Sequence, residues 1–223
     1  MSKSNSSKPD VFFLKSRDTF IHFISSSNEF KKTNEEKIIK NFNKWNKKYL
    51  VFDTNDFLLL PLELPSYLKK LNIEKTLGIE KNSKKRTVKI SNLKLTYFYN
   101  PIINISTSTK ISHISEVLIN EFSDIKNKSK ETYIVFTNKM LHISIIDKGK
   151  IVFYNQFNYS NESYIKYIIL AFEEFKLDRK KSKINIIESY ESFIKTKNKM
   201  KKYFKNINLY KKSIFEIIED HYE

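Results

Sequence analysis

The run Thr132 to Phe136 is almost wholly apolar, and after the break Thr137-Asn138-Lys139 the run Met140 to Ile146 alternates apolar with polar positions. Strand-length runs separated by turn formers predict two strands joined by a turn. Asp147-Lys148-Gly149 then reverses the chain into a third run, Ile151 to Phe157. Gly149 suits this place because glycine enters the φ > 0 region of a tight hairpin without a Cβ clash. The period then changes. Ile165, Ile168, Ile169, Phe172 and Phe175 repeat at helical spacing behind Ser160 and Asn161 as candidate caps. Past the charged loop "LDRKKSK" the pattern predicts a short strand, Ile184 to Ile187, and a helix from about Tyr190 to Phe204.

The first half follows the same order. Strands are predicted at Val11 to Leu14 and Thr19 to Ile24, around a turn at Lys15 to Asp18, with a short third strand near Phe30 after the turn Ser25 to Asn28. Thr33, with Glu36 three residues on, caps a helix whose apolar face is Ile38, Ile39, Phe42 and Trp45. "YLVFD" (Tyr49 to Asp53) is the fourth strand, and "FLLLP" is expected to pair with it. Between Leu64 and Phe122 lie a short helix after Pro65, a mobile basic stretch around "KNSKKRT", a strand "KLTYFY" and a helix near Ile114 to Phe122.

Three strands, a helix, a strand and a helix, occurring twice, is the order of a duplicated ribonuclease H-like βββαβα unit. The fold class expected is therefore α/β, a two-lobed actin-like fold. Residues 1–10 read as a disordered lead-in, 11–125 as the first lobe and 126–223 as the second. The segments "YLVFDTNDFLLLPLEL", "ISHISEVLINEF" and "IIDKGKIVFYNQFNYSNESYIKYIILAFEEFKLD" resemble the Bacteroidota family designated domain of unknown function 3822. That resemblance runs from about Val11 to Tyr210 and is most specific over Ile145 to Asp178. It implies an actin-like ATPase fold and a bacterial source, and it assigns no catalytic residues.

Composition narrows the function classes. No apolar run approaches the roughly 20 residues of a membrane-spanning helix; the longest is "FLLLPL" at Phe57 to Leu62. There is no cysteine, so disulfides and Cys-ligated metals are excluded, in keeping with a cytoplasmic location. The formal charge is +16, but only Arg17, Arg86 and Arg179 are arginine. Readers of bases and phosphates favour the planar arginine fork, whereas lysine gives unspecific attraction, and the abundance of Lys, Asn, Ile, Phe and Tyr is what an AT-rich genome produces.

Glycine decides more. Actin-like ATPases hold phosphates on glycine-rich hairpin turns whose backbone N–H groups approach the anion. This chain has two glycines in 223 residues, against about 15 at average usage. Neither Lys15-Ser16-Arg17-Asp18 nor Thr137-Asn138-Lys139 contains one. Asp18 could mimic a magnesium-binding acid, but an Asp in a hairpin is ordinarily a turn former. Asp53 and Asp56, with Asp18, are the acids a ribonuclease H-like nuclease would need for two metal ions, and again both flank a turn.

His22, His113, His142 and His221 show no metal-ligand spacing; His22 and His142 fall on the polar side of their strands, as surface residues usually do. Trp45 reads as a core plug. On the last long helix Lys195, Lys199 and Lys202 share a side opposite Phe193, Met200 and Phe204, with Tyr203 and Tyr210 adjacent. A solvated lysine face is the ordinary meaning of that pattern, and lysines interleaved with aromatics also suit single-stranded nucleic acid. The function expected is that of a non-catalytic actin-like pseudo-ATPase, a cytoplasmic adaptor or assembly protein with a protein partner and no cofactor or metal. The alternative is contact with RNA or the ribosome through lysine-rich faces, and the third reading is a nuclease or ATPase.

Overall fold

The computed structural model describes residues 10–16, 19–24, 30–33, 37, 44–62, 83–90, 93–99, 109–137, 140–160, 162–189 and 193–223. The chain divides into two compact units, Met1–Glu116 and Val117–Glu223. Each is built on a five-stranded mixed sheet.

In the first unit β1 (Val11–Ser16), β2 (Thr19–Ile24) and β3 (Phe30–Thr33) form an antiparallel meander. β4 (Lys48–Asp53) then adds parallel to β1, and β8 (Thr109–His113) adds parallel to β4, giving the order β3-β2-β1-β4-β8. Val11, Phe13, Phe20, Leu50 and Phe52 make the core on one face, with Trp45 and Tyr99 packed against it. Trp45 meets Phe13 edge-on at 5.5 Å, as a core plug does. On the other face Phe23, Phe12 and Tyr49 stack across three adjacent strands at 4.9 and 4.6 Å.

The second unit repeats the plan. β9 (Glu131–Thr137), β10 (Met140–Asp147) and β11 (Lys150–Asn158) are the antiparallel meander, and β12 (Lys183–Ile187) and β13 (Ile207–Leu209) add in parallel, in the order β11-β10-β9-β12-β13. The helices are α1 (Ile114–Ser123), α2 (Tyr164–Glu174), α3 (Phe193–Met200) and α4 (Ile214–Tyr222). Alternation along the strands sends Ile134, Phe136, Leu141, Ile143 and Ile145 to one face, where Ile165, Ile168 and Phe172 of α2 and Met200 of α3 cover them. Tyr133 points to the other face and meets Phe122 of α1 at 5.3 Å, while α4 lies beside α1 through Asn120 and His221 at 3.2 Å. This duplicated meander, closed by parallel strands, is the actin-like ATPase fold.

Several expectations are corrected. "FLLLP" forms β5 (Phe57–Pro61) but pairs with β7 (Leu93–Tyr99), because β1 and β8 already occupy both edges of β4. The basic stretch is not a mobile loop: Lys84–Ile90 is β6, an edge strand of the separate sheet β5-β7-β6. Lysines on an edge strand discourage pairing with other chains, so they contribute no core periodicity to read. β8, β13 and α4 were not foreseen. β13 is three residues long, below what a pattern resolves, yet α4 carries a capping box: the Ser213 hydroxyl accepts from Glu216 N and the Glu216 carboxylate accepts from Ser213 N.

Neither expected cap of α2 is seen. Its N-cap is Ser163, whose hydroxyl accepts instead from Ser160 N, and Asn161 lies outside the described residues. α3 is described over Phe193–Met200 and ends four residues short of Phe204, while its expected start near Tyr190 lies outside the described residues. The helix expected after Thr33 and the one after Pro65 fall outside the described residues, save that Lys37 is helical.

Candidate functional site

In open α/β sheets ligands gather at the carboxyl ends of parallel strands. In the first unit β1 and β4 end together, with Ser16 opposite Asp53, and Phe52 is opposite His113 at the end of β8. Asp53, His113 and Ser115 are each 0% exposed, and Glu116 is buried too. These side chains form the candidate site.

His113 is held on both ring nitrogens. Ser115 N donates to Nδ1 at 3.1 Å, so Nδ1 carries the lone pair and the hydrogen sits on Nε2, which donates to the Thr54 carbonyl at 3.0 Å. Phe57 and Tyr97 flank the ring at 5.4 and 5.3 Å. The Glu116 carboxyl, in the first turn of α1, accepts from the Tyr97 hydroxyl at 3.2 Å and from the His113 backbone. Burial pushes its pKa above the ordinary carboxylate value; the nearby charge of Arg86 and these hydrogen bonds oppose the shift without cancelling it. Arg86 itself donates to the Ile111 carbonyl.

With both ring nitrogens engaged by the backbone at Thr54 and Ser115, His113 braces the ends of β4 and β8. Tyr97, Ser115 and Glu116 were missed by sequence reasoning. The sole signal was the succession His113-Ile114-Ser115-Glu116 at a helix start, where His113 is buried rather than merely leading into the helix.

Of the sequence-derived acids only two can be placed. Asp53 is buried, Asp56 is exposed, and Asp18 lies outside the described residues. Among the described residues no group of three or more His, Asp or Glu is placed to hold a metal ion. His142, expected at the surface, is buried between the Thr137 hydroxyl at 3.3 Å and the Tyr154 hydroxyl at 3.2 Å. His22 is half-buried beside Phe13 and Trp45; burial, reinforced by Lys31, lowers its pKa.

Gly149 sits at the tip of the β10–β11 hairpin with φ +75°, and Lys148 before it has φ +50°. Two successive positive φ values are the pattern of a type I′ turn. Asn127 locks the tip: its Oδ1 accepts from Gly149 N at 2.8 Å while its Nδ2 donates to the carbonyls of Ile146 and Ser129, each at 2.7 Å.

The basic residues singled out from the sequence do not share one helix face. Lys195 and Lys199 are exposed on α3, and Lys199 pairs with Glu162 at 3.2 Å. Lys202 and Tyr203 lie in the turn after the helix, both exposed. Tyr210 is half-buried elsewhere: its hydroxyl donates to Glu121 Oε1 at 2.7 Å and its ring meets Tyr133 edge-on. Burial and then Glu121 raise the pKa of that hydroxyl strongly. Lys212 closes the network on Glu121 at 2.9 Å and Asp220 at 2.8 Å, and the bond to Asp220, then that to Glu121, lifts its pKa to about 12.

Comparison with known proteins sets the fold beside others of its kind. A crystal structure of a Bacteroides thetaiotaomicron protein with an actin-like ATPase fold and unknown function superposes with a TM-score of 0.76, covering 98% of each chain at 14% identity. A chain of the PilM-PilN type IV pilus biogenesis complex superposes with a TM-score of 0.59 at 6% identity, covering 93% of this chain and 89% of that one. No curated protein sequence matches. Residues 10–207 match the family described as protein of unknown function DUF3822, and the chain belongs to that family.

Proposed function

We propose that this chain is a non-catalytic, cytoplasmic actin-like protein that works as an adaptor or assembly component through contacts with other proteins. The observation that carries the reading is the chemistry of the hairpin turns. Close approach of backbone N–H groups to phosphates requires residues without a Cβ. The two glycines are Gly78 and Gly149, and neither lies in the first hairpin turn of either unit. Gly149 closes the second hairpin of its unit, where its N–H is already bound by Asn127. The engagement of both His113 nitrogens by the backbone supports the same reading, since it gives that imidazole a structural task. The similarity to a chain of the PilM-PilN complex adds a precedent for a protein of this fold within an assembly.

Titration calorimetry with millimolar ATP and magnesium should give no saturable heat. The immobilised chain should retain a defined protein partner from a lysate of its source cell after nuclease treatment. Saturable ATP binding at micromolar affinity, abolished by Asp18→Ala, would overturn the reading.

A further inference from the structure

Two loops of the second unit are fastened to each other. Lys205 N donates to the Arg179 carbonyl at 3.1 Å, the Asn206 side chain donates to the Lys181 carbonyl at 3.1 Å, and Ile184 N donates to the Asn206 carbonyl at 2.9 Å. The α2–β12 loop is also bonded within itself: Asp178 Oδ1 accepts from Lys180 N and Lys181 N, and Ser182 Oγ accepts from Asp178 N. The turn after α3 is pinned by Tyr203 N and Phe204 N on the Met200 carbonyl. The bonds at Arg179–Lys205 and Lys181–Asn206 hold one loop, carrying Lys176, Lys180 and Lys181, against the other, carrying Lys201, Lys202 and Lys205, and all six lysines are exposed. Against them stand the Asp178 and Glu174 carboxylates, both exposed, while Glu173 pairs with Arg179 at 2.6 Å.

Lys176 holds a left-handed conformation, φ +53°. It closes α2 in a Schellman motif, with Leu177 N on the Phe172 carbonyl at 2.8 Å and Lys176 N on the Glu173 carbonyl at 3.2 Å. Glycine ordinarily takes this position.

We propose that these paired loops form a docking surface for the sugar-phosphate backbone of single-stranded nucleic acid, with Tyr203 as a platform for an unpaired base. This goes beyond the adaptor reading. Exposed lysines spread over two loops supply attraction along a polyanion without reading sequence. Tyr203 is 43% exposed amid Lys201, Lys202 and Lys205, and a base stacked on an aromatic ring is the usual companion of such a charged track. An acidic polypeptide draws its affinity from apolar anchors seated in pockets, whereas in these segments Phe204 is buried and Leu177 half-buried. A membrane surface would likewise need apolar side chains to insert.

The test measures anisotropy of labelled oligouridylate and oligothymidylate of about 12 nucleotides, titrated with the full chain over a salt series. If about four phosphates are contacted, the slope of log affinity against log salt should be near −2.8, at about 0.7 per contact on a single strand. Lys180→Glu with Lys202→Glu should flatten it by about 1.4, and Lys126→Glu with Lys128→Glu, an equal charge change on another exposed loop, should leave it in place. Tyr203→Ala should weaken binding by about fivefold or more with the slope unchanged. The uridylate and thymidylate arms tell RNA from DNA. Lys180→Gln with Lys202→Gln provides the milder variant should charge reversal disturb folding. The proposal is overturned if both double variants act alike, if Tyr203→Ala has no effect, or if polyglutamate or phosphatidylserine vesicles compete as well as the oligonucleotides.

Discussion

Lys176 offers a pair of substitutions whose order runs against intuition, since glycine there should leave the protein more stable than alanine does. The residue occupies the left-handed position that ends α2, φ +53°. A side chain there brings Cβ against its own backbone at a cost of about 1 to 2 kcal/mol. Glycine escapes that cost but gives back about 0.5 to 1 kcal/mol through its freer unfolded chain. Alanine is the reference, because it keeps the Cβ and removes the charge. The ammonium group at the C-terminal end of a helix is itself worth about 0.3 to 1 kcal/mol through the helix dipole, and both variants lose it equally. Lys176→Gly should therefore be about 0.5 to 1 kcal/mol more stable than Lys176→Ala, a difference of about 1 to 4 °C in a chain of this size. Urea denaturation followed by circular dichroism would read it as a higher midpoint at an unchanged slope. Equal midpoints for the two variants, or a lower one for glycine, would refute the claim that the backbone at Lys176 is strained.

Two further substitutions probe the hairpin tip and the buried carboxyl. Gly149→Val places a β-branched residue at φ +75°, where an added Cβ would stand 3.3 Å from the Ile125 carbonyl oxygen, and should cost about 2 kcal/mol; an unchanged denaturation midpoint would contradict this. Glu116 has its folded pKa raised by burial, so its contribution is most favourable in acid and is lost as pH rises through the folded value. Glu116→Gln, which retains an acceptor for the Tyr97 hydroxyl, should match the wild type below about pH 4 and become the more stable protein as pH rises above about 5. A stability difference that stays flat from pH 4 to pH 7 would remove burial as the dominant influence on Glu116.

What the sequence determined by itself was local and periodic. The meander from Thr132 to Phe157, the amphipathic helix around Ile165 to Phe172 and the hairpin at Gly149 were legible because each rests on side-chain alternation or on one residue's backbone freedom, both of which operate within a few neighbours in sequence. The twofold repetition of such elements was enough to name the actin-like class. Tertiary structure decided what depends on distant partners. Whether "FLLLP" joined β4 turned on which edges of β4 were free, and β8, which fills one of them, lies more than fifty residues further along. The stretch Lys84–Ile90 became a strand only because Leu93–Tyr99 supplied hydrogen bonds that its exposed lysines could not advertise. His113 and His142 were buried because Thr54, Ser115, Thr137 and Tyr154 satisfied their nitrogens, and a polar residue pays the full desolvation cost until such partners arrive. The cationic surface shows the same division. Each lysine was plain in the sequence, but only the bonds between Arg179, Lys181, Lys205 and Asn206 joined two separate loops into one face.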